Sequence, residues 1–236
     1  MSDYKKVPVL DTGYVQLVEV YGKDESIIEA ARMSTDKGFL GWGDSEKAGD
    51  EKLLAYLYNN KHMTPFEMAG MIIEVKAPIF VFREWHRHRT QSYNEMSARY
   101  IPLPDENYIP TVERLMLGAN TATTNKQAKG SGEPMTVGKA EAFQRYLESA
   151  YSTAQIAYEN GLRMGVPKEL ARLPVPVARY SRMRAHANLR NWLAFLTLRA
   201  HPAAQWEIRQ YAEAVGALIE TNFPRTWELF VAERQT

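Results

Sequence analysis

The sequence predicts a single α+β domain in which a mixed or antiparallel sheet is covered by helices. Three segments have strand character, at 14–20, 71–75 and 175–187, and helical segments of very different lengths separate them. The regular alternation of strands and helices that indicates a doubly wound parallel sheet is missing. With 236 residues, 45% of them hydrophobic, the chain is long enough to bury one substantial core.

The strands are predicted from residue type and alternation. Segment 14–20 is rich in β-branched residues and stops before Gly22, and segment 71–75 has the same character. Segment 175–187 alternates, and because side chains alternate across a strand it places one set on a common face. That set is Tyr180, Arg182, Arg184 and His186.

The helices are predicted from amphipathic periodicity and end signals. Asp24 is expected to cap the first helix, and a second begins near Ser45 and ends at Asn60. Pro78 is placed as the first residue of a helix that runs through Trp85. The remaining helices are expected at 139–160, after Pro167, and around 189–199, 203–221 and 224–233.

Two stretches are predicted to lack regular structure. Pro102 and Pro104, soon after Tyr100, interrupt any helix, so an ordered loop is expected there. Residues 118–138 read GANTATTNKQAKGSGEPMTVG, with no periodicity and little apolar surface. We therefore expect a mobile insertion there, within one domain that spans residues 1–236.

Composition weighs against several classes of function. Lysine and arginine total 29 against 28 acidic residues, so the net charge of +1 gives the whole molecule little attraction for nucleic acid or membrane. The N-terminus has no apolar stretch long enough for a signal peptide or membrane span, which predicts a cytoplasmic protein. Without cysteine, the chain has no disulfide, no thiolate metal site and no cysteine nucleophile.

The densest cluster of functional groups lies at 83–99, REWHRHRTQSYNEMSAR. It holds four arginines and two glutamates, a formal charge of 4 − 2 = +2 with neutral histidines. A solvated helix end explains these cations as well as a binding site does, because cations are favoured near a helix C-terminus. Arg87 and Arg89 point about 200° apart on a regular helix, so they need different partners or a helix that ends before them. Hydroxyl, amide and carboxylate groups nearby suit a phosphorylated ligand: Ser92, Asn94, Glu95 and Ser97.

Three ordered motifs carry a resemblance to a known family. They are RHR at 87–89 followed seven residues later by Ser97, HMTPFE at 62–67, and NLR at 188–190 with LR at 198–199 and AQWEI at 204–208. Their order and spacing resemble those of the flavin-dependent thymidylate synthases. The resemblance covers nearly the whole chain except 118–138.

The resemblance implies two sets of binding residues, contributed by more than one subunit of a homotetramer. The residues implied to contact FAD are Ser34, His62, Thr64, Arg87, His88, Arg89, Glu95, Asn188 and Arg190. The residues implied to contact dUMP are Glu84, Arg87, Glu95, Met96, Ser97, Ala98, Arg99, Arg172 and Arg199. Glu84 stands where some relatives have glutamine, and Ala194 where some have a flavin-contacting asparagine.

The reaction implied by the resemblance is reductive methylation of dUMP to dTMP, with methylenetetrahydrofolate as carbon donor and NADPH-reduced FAD as hydride source. Because the chain has no cysteine, carbon 5 cannot be activated by thiolate addition at carbon 6. The remaining route is a cation that stabilises negative charge on N3 and its flanking carbonyls. Arg199 is the candidate catalytic residue, while Arg99 and Arg172 suit the phosphate.

Other interpretations of the 83–100 segment are weaker. A nucleic-acid-binding module would use its arginines and tyrosines as clamps and stacking surfaces, but the near-neutral chain counts against this. A metal site on His86 and His88 lacks a recognisable third ligand, so we expect no metal. A serine hydrolase based on Ser97 lacks the Gly-x-Ser-x-Gly context.

Overall fold

The sheet confirms the predicted α+β class and is antiparallel. The computed structural model describes residues 6–43, 49–120 and 135–235, and within these ranges the sheet has five strands in the order β1-β2-β3-β5-β4. Every neighbouring pair of strands runs antiparallel. The strands are β1 (Lys6–Val9), β2 (Gly13–Tyr21), β3 (Gly70–Pro78), β4 (Ser92–Glu95) and β5 (Tyr180–Asn188).

The helices are α1 (Asp24–Arg32), α2 (Glu51–Asn59), α3 (Ile79–Trp85), α4 (Val112–Asn120), α5 (Val137–Arg163), α6 (Lys168–Ala171), α7 (Leu189–Arg199), α8 (Trp206–Asn222) and α9 (Pro224–Gln235). Of these, α3, α7 and α8 pack against the sheet. Short 3₁₀ segments follow α1 and precede β3, at Met33–Thr35 and Thr64–Met68. No helix among the described residues is long and apolar enough to cross a membrane.

The two faces of the sheet differ because its central strands alternate. On β3, Ile73 and Val75 are fully buried, and on β5 Ala185 is buried beside them. Arg182 and Arg184 occupy the opposite face and are exposed, as the predicted alternation requires. The helix-covered face therefore holds the core, and the other face carries polar side chains.

An aromatic cluster joins three of the helices that cover the sheet. The ring of Trp85, at the end of α3, lies 4.6 Å from that of Phe195 and 6.5 Å from that of Trp192, both on α7. Tyr211 of α8 completes the cluster at 6.4 Å. All four side chains are fully buried, so the position at which α3 ends is fixed by the core.

Several predicted boundaries are wrong. The second helix begins at Glu51, and its predicted start at Ser45 lies outside the described residues. Residues 175–179 precede β5 rather than belonging to it. Pro78 ends β3 and precedes the first residue of α3. The long helix extends through Gly161 to Arg163, since one glycine does not end a helix whose backbone bonds continue.

Three elements are absent from the predictions: β1, β4 and α4. The strand β4 is short and polar and pairs only with β5, at the edge of the sheet, so it has no apolar alternation to reveal it. Of the predicted insertion at 118–138, residues 118–120 belong to α4 and 137–138 to α5. Residues 121–134 lie outside the described residues, and the insertion stays a prediction.

Asp24 caps a different helix from the one expected. It is the first residue of α1, whose N-cap is Lys23. Its buried carboxylate accepts hydrogen bonds from the backbone N–H of Arg225 at 2.9 Å and from the hydroxyl of Thr226 at 2.6 Å. Burial raises the pKa of Asp24, and these hydrogen bonds oppose that rise. The carboxylate thus satisfies the first turn of α9, about 200 residues later in the chain.

Candidate active site

The last turn of α3 and the turn that follows this helix present three arginines to solvent. The helix ends at Trp85, so Arg87 and Arg89 lie beyond it. The opposite directions that a regular helix would give their side chains therefore do not apply. Both are exposed, as is Arg83. Within the described ranges, no hydrogen bond or ion pair to the side chain of any of the three is present, whereas nine other lysines and arginines form ion pairs with acidic residues. These guanidinium groups are available to bind an anion.

The same turn is held from inside by hydrogen bonds. The Tyr93 hydroxyl donates to the carbonyl oxygens of Trp85 at 3.1 Å and His88 at 2.7 Å. The indole N–H of Trp85 donates to Oε1 of the buried Gln91 at 3.0 Å. Trp85 therefore has no face left for stacking on a base, and Tyr93 is half-buried, which weakens the nucleic-acid interpretation.

Arg199, the candidate catalytic residue, is held at the junction of α3 and α7. It is the last residue of α7, and its side chain is only 15% exposed. Its Nε donates to Nε2 of His88 at 2.9 Å. Its two terminal nitrogens donate to Glu84, one to the carboxylate Oε2 and one to the main-chain oxygen, both at 2.7 Å. We name Glu84, His88 and Arg199 the α3–α7 cluster.

His88 is neutral in this cluster. Burial, together with the positive charge of Arg199, lowers the pKa of His88 to about 4. A neutral imidazole whose Nε2 accepts a hydrogen bond carries its proton on Nδ1. The ring also packs edge-on against Phe195 at 4.9 Å. His88 therefore acts as an acceptor for Arg199.

A second group of predicted residues lies in the loop after β4. The backbone N–H of Met96 donates to the carbonyl oxygen of Arg182 at 2.8 Å, which continues the pairing of β4 with β5. Ser97 then begins a turn in which its Oγ accepts from the backbone N–H of Arg99 at 3.3 Å. The buried Ala98 anchors this turn.

Helix α6 completes that second group. Nε of Arg99 lies 3.3 Å from a carboxylate oxygen of Glu169, and Nε of Arg172 donates to the Glu169 carbonyl at 3.3 Å. Arg99 and Arg172 are both exposed. The structure thus brings together Ser97, Arg99 and Arg172, the residues predicted to hold a phosphate, and we name them the α6 cluster. Glu95, at the end of β4, is exposed just before it.

The third group surrounds Glu67, in the 3₁₀ segment before β3. Its Oε1 accepts from Arg190 at 2.5 Å and its Oε2 from Asn188 at 3.4 Å. Asn188 also caps α7, because its Oδ1 accepts from the backbone N–H of Asn191 at 3.0 Å. We name Glu67, Asn188 and Arg190 the Glu67 cluster. Glu67 lies within the HMTPFE motif but was not among the predicted site residues, although a carboxylate in a motif with two predicted polar ligands was a usable signal.

The other residues predicted to contact FAD lie on neighbouring segments. His62 and Thr64 are exposed at the start of the 3₁₀ segment that contains Glu67. Ser34 is exposed on the 3₁₀ turn after α1, and α1 packs against the segment 64–68. A cavity of about 480 Å³ between α2, α7 and α9 is lined by Arg190 and Ala194, next to this cluster.

The predicted nucleotide-binding residues fall mainly into two of these clusters. Among the residues that the structure describes, no side-chain hydrogen bond or ion pair links the α3–α7 cluster to the α6 cluster. In the same described ranges, no group of three or more histidine, aspartate or glutamate side chains is placed to hold a metal ion.

Comparisons with known proteins agree with these motifs. The family model described as "Thymidylate synthase complementing protein" matches residues 16–225. A flavin-dependent thymidylate synthase of Thermotoga neapolitana is 39% identical over 226 residues, which cover 96% of this chain and 94% of that protein. One from Thermus thermophilus is 39% identical over 224 residues, covering 95% of this chain and 77% of that protein.

Solved structures agree as well. The crystal structure of a UMP/dUMP methylase, PolB from Streptomyces cacaoi, bound with 5-Br UMP, matches with a TM-score of 0.81 at 32% identity, covering 93% of this chain and 94% of that chain. The same methylase bound with 5-Br dUMP has the same TM-score and identity over 96% and 97% of the two chains. The family model, the related sequences and the solved structures agree over almost the whole chain, so this protein belongs to the flavin-dependent thymidylate synthase family.

Proposed function

We propose that this protein is an enzyme that methylates dUMP to dTMP reductively, with methylenetetrahydrofolate as carbon donor and NADPH-reduced FAD as hydride source. The observation that carries the proposal is the α3–α7 cluster, in which a mostly buried arginine is held in one orientation beside the exposed arginines of the 87–89 turn. The named relatives are flavin-dependent thymidylate synthases, and the structural neighbour is a UMP/dUMP methylase.

The chemistry of the exposed residues fits a flavin dinucleotide. Arg87 and Arg89 have no partner among the described residues, and guanidinium groups form strong paired hydrogen bonds with phosphates. Asn188, Arg190 and Thr64 add donors and acceptors on a neighbouring surface for the remaining polar edges of the ligand. A flavin bound there supplies the hydride that no amino-acid side chain provides.

Arg199 acts on the pyrimidine in this proposal. Negative charge on N3 and the adjacent carbonyls pushes electron density towards carbon 5, and a fixed cation in a water-poor site stabilises that charge. The side chain of Arg199 is largely removed from water and is fixed by its contacts with Glu84 and His88. No thiolate is required, consistent with a chain without cysteine.

The proposed nucleotide site has two parts, a phosphate-binding part in the α6 cluster and a base-facing part in the α3–α7 cluster. We propose that the α6 cluster of one subunit holds the phosphate while the α3–α7 cluster of another faces the base, in a homotetramer. The exposed positions of Arg99 and Arg172 are compatible with this arrangement.

Replacing Ser97 with alanine is expected to preserve turnover while raising the KM for dUMP about 10-fold, the loss of one hydrogen bond to a charged group. Among the described residues, the hydrogen bond to Ser97 Oγ comes from the backbone N–H of Arg99, and no base contacts the hydroxyl. Steady-state kinetics with varied dUMP measures the effect. A nucleotide bound covalently to Ser97, trapped and identified by mass spectrometry, would overturn the assignment to phosphate.

Replacing Glu67 with glutamine is expected to raise the dissociation constant for FAD about two- to fivefold, the scale of a partly exposed ion pair. The change leaves the shape of the side chain but removes the charge that orients Arg190. Fluorescence titration of FAD into the apoprotein measures it, with Glu141→Gln on the exposed surface of α5 as the matched control. Equal affinities in the two variants would remove Glu67 from the flavin site.

The absorption spectrum of the purified protein tests the proposed function. A yellow protein, or a colourless one that FAD reconstitutes, whose flavin band bleaches on addition of NADPH, supports the proposal. A protein that FAD cannot reconstitute and that binds single-stranded nucleic acid would instead support a binding module built on segment 83–100.

A further inference from the structure

Glu84 holds Arg199 through two different groups. The main-chain carbonyl belongs to the last turn of α3, so its position is fixed by the buried Trp85 that follows it. The carboxylate binds the other terminal nitrogen of the same guanidinium. Two acceptors from one residue therefore bind both ends of the planar group and define its tilt as well as its position.

His88 supplies the third contact. Its Nε2 accepts from Arg199 Nε, and a neutral imidazole is needed for that. The guanidinium carries one N–H on Nε and a pair on each terminal nitrogen, and the three contacts use one N–H of each nitrogen. Each terminal nitrogen keeps its other N–H. The three contacts therefore leave two N–H donors of Arg199 in fixed positions. The side chain of Glu84 beside them is 43% exposed.

We propose that Glu84 is a positioning residue, which orients the two remaining N–H groups of Arg199 towards the substrate, rather than a residue that binds dUMP itself. This rests on the proposed function of Arg199. The carboxylate is committed to the guanidinium, and its negative charge beside the base would oppose the build-up of negative charge on N3.

Orientation has a large effect on rate. A displacement of about 1 Å in a group that contacts the reacting part of the substrate costs about 100-fold. Glu84→Ala removes the carboxylate contact and lets the guanidinium rotate about the remaining two hydrogen bonds. Glu84→Gln keeps an acceptor oxygen at the same place and removes only the charge. The two variants therefore separate orientation from charge.

The expected kinetic result is a pattern across four variants, compared with wild type and with Arg199→Ala. Glu84→Ala is expected to lower the rate of dUMP methylation about 100-fold, while Glu84→Gln stays within about threefold of wild type, the scale of an exposed ion pair. In an Arg199→Ala background, Glu84→Ala is expected to cause almost no further loss, because residues that act as a unit are non-additive. Glu228→Ala, on the exposed surface of α9, is the matched control.

A measurement without turnover tests the same point. The Nη1–H of Arg199, which donates to the Glu84 carboxylate, is expected to give an NMR signal, assigned by its loss in Arg199→Lys, in wild type and Glu84→Gln but not in Glu84→Ala. If the wild type makes no dTMP, the proposed function fails while this signal still tests the positioning. A signal that persists in Glu84→Ala, or a loss of rate that adds to that of Arg199→Ala, would overturn the role of Glu84. Weaker dUMP binding caused by Glu84→Ala, both in the wild-type and in the Arg199→Ala background, would also overturn it, because Glu84 would then bind dUMP itself.

Discussion

Arg199→Ala is expected to slow the methylation of dUMP by about 100- to 1000-fold, the effect of about 3–4 kcal/mol lost from a transition state. Reduction of the flavin by NADPH is expected to stay close to the wild-type rate, because that half-reaction develops no charge on the pyrimidine. The selective loss follows from the mostly buried position of Arg199 and its three directed hydrogen bonds. Stopped-flow measurement of the two half-reactions separately gives both rates.

Arg199→Lys is the matched variant for this experiment. Lysine keeps the positive charge but lacks the planar fork that contacts Glu84 and His88 together, so partial recovery at most is expected. Arg199 also joins the ends of α3 and α7, so each variant must first be shown to be folded. Equal losses in both half-reactions of a folded Arg199→Ala protein would assign the residue a structural role only.

Trp85→Ala is expected to lower the free energy of unfolding by about 3–5 kcal/mol, the usual cost of truncating a large buried aromatic side chain. Trp85 is fully buried and its ring lies 4.6 Å from that of Phe195. Because the turn with Arg87 and Arg89 follows directly, loss of the ring is also expected to weaken flavin binding. Urea denaturation followed by circular dichroism, at one fixed protein concentration, measures the stability.

Trp85→Phe separates the packing of this ring from its hydrogen bond. Phenylalanine fills most of the space but leaves Oε1 of the buried Gln91 without its donor, at a cost of about 1–3 kcal/mol. A loss below about 1 kcal/mol for Trp85→Ala would be outside the range for a buried aromatic side chain. Such a result would show that the end of α3 does not depend on the aromatic cluster.

The sequence predicted those parts of the fold that have a strong local pattern. Strands β2 and β3 were found from β-branched runs, and the last three helices from amphipathic periodicity. The strand β4 was missed because its pairing with β5 rests on backbone hydrogen bonds of a polar edge, which leave no hydrophobic pattern. Asp24 was assigned to the wrong helix because its real partners lie about 200 residues away.

The candidate site was predictable in composition but not in arrangement. Motifs identified Arg87, His88 and Arg199 as members of one site, yet no local rule joins Glu84 to a residue 115 positions later. That contact requires α3 and α7 to pack through the aromatic cluster, which is a property of the whole fold. The ion pair between Arg99 and Glu169 was equally hidden, because spacing along the chain does not give distance in the fold.

The most direct test of the account follows one labelled carbon. The holoenzyme is incubated with dUMP, NADPH and methylenetetrahydrofolate labelled at its methylene carbon, and nucleotide and folate products are identified by mass spectrometry. Because the hydride comes from the reduced flavin, the folate gives up only the carbon. We expect one labelled carbon in dTMP together with an equal amount of tetrahydrofolate. Unlabelled dUMP alone, or labelled dTMP accompanied by dihydrofolate, would contradict it.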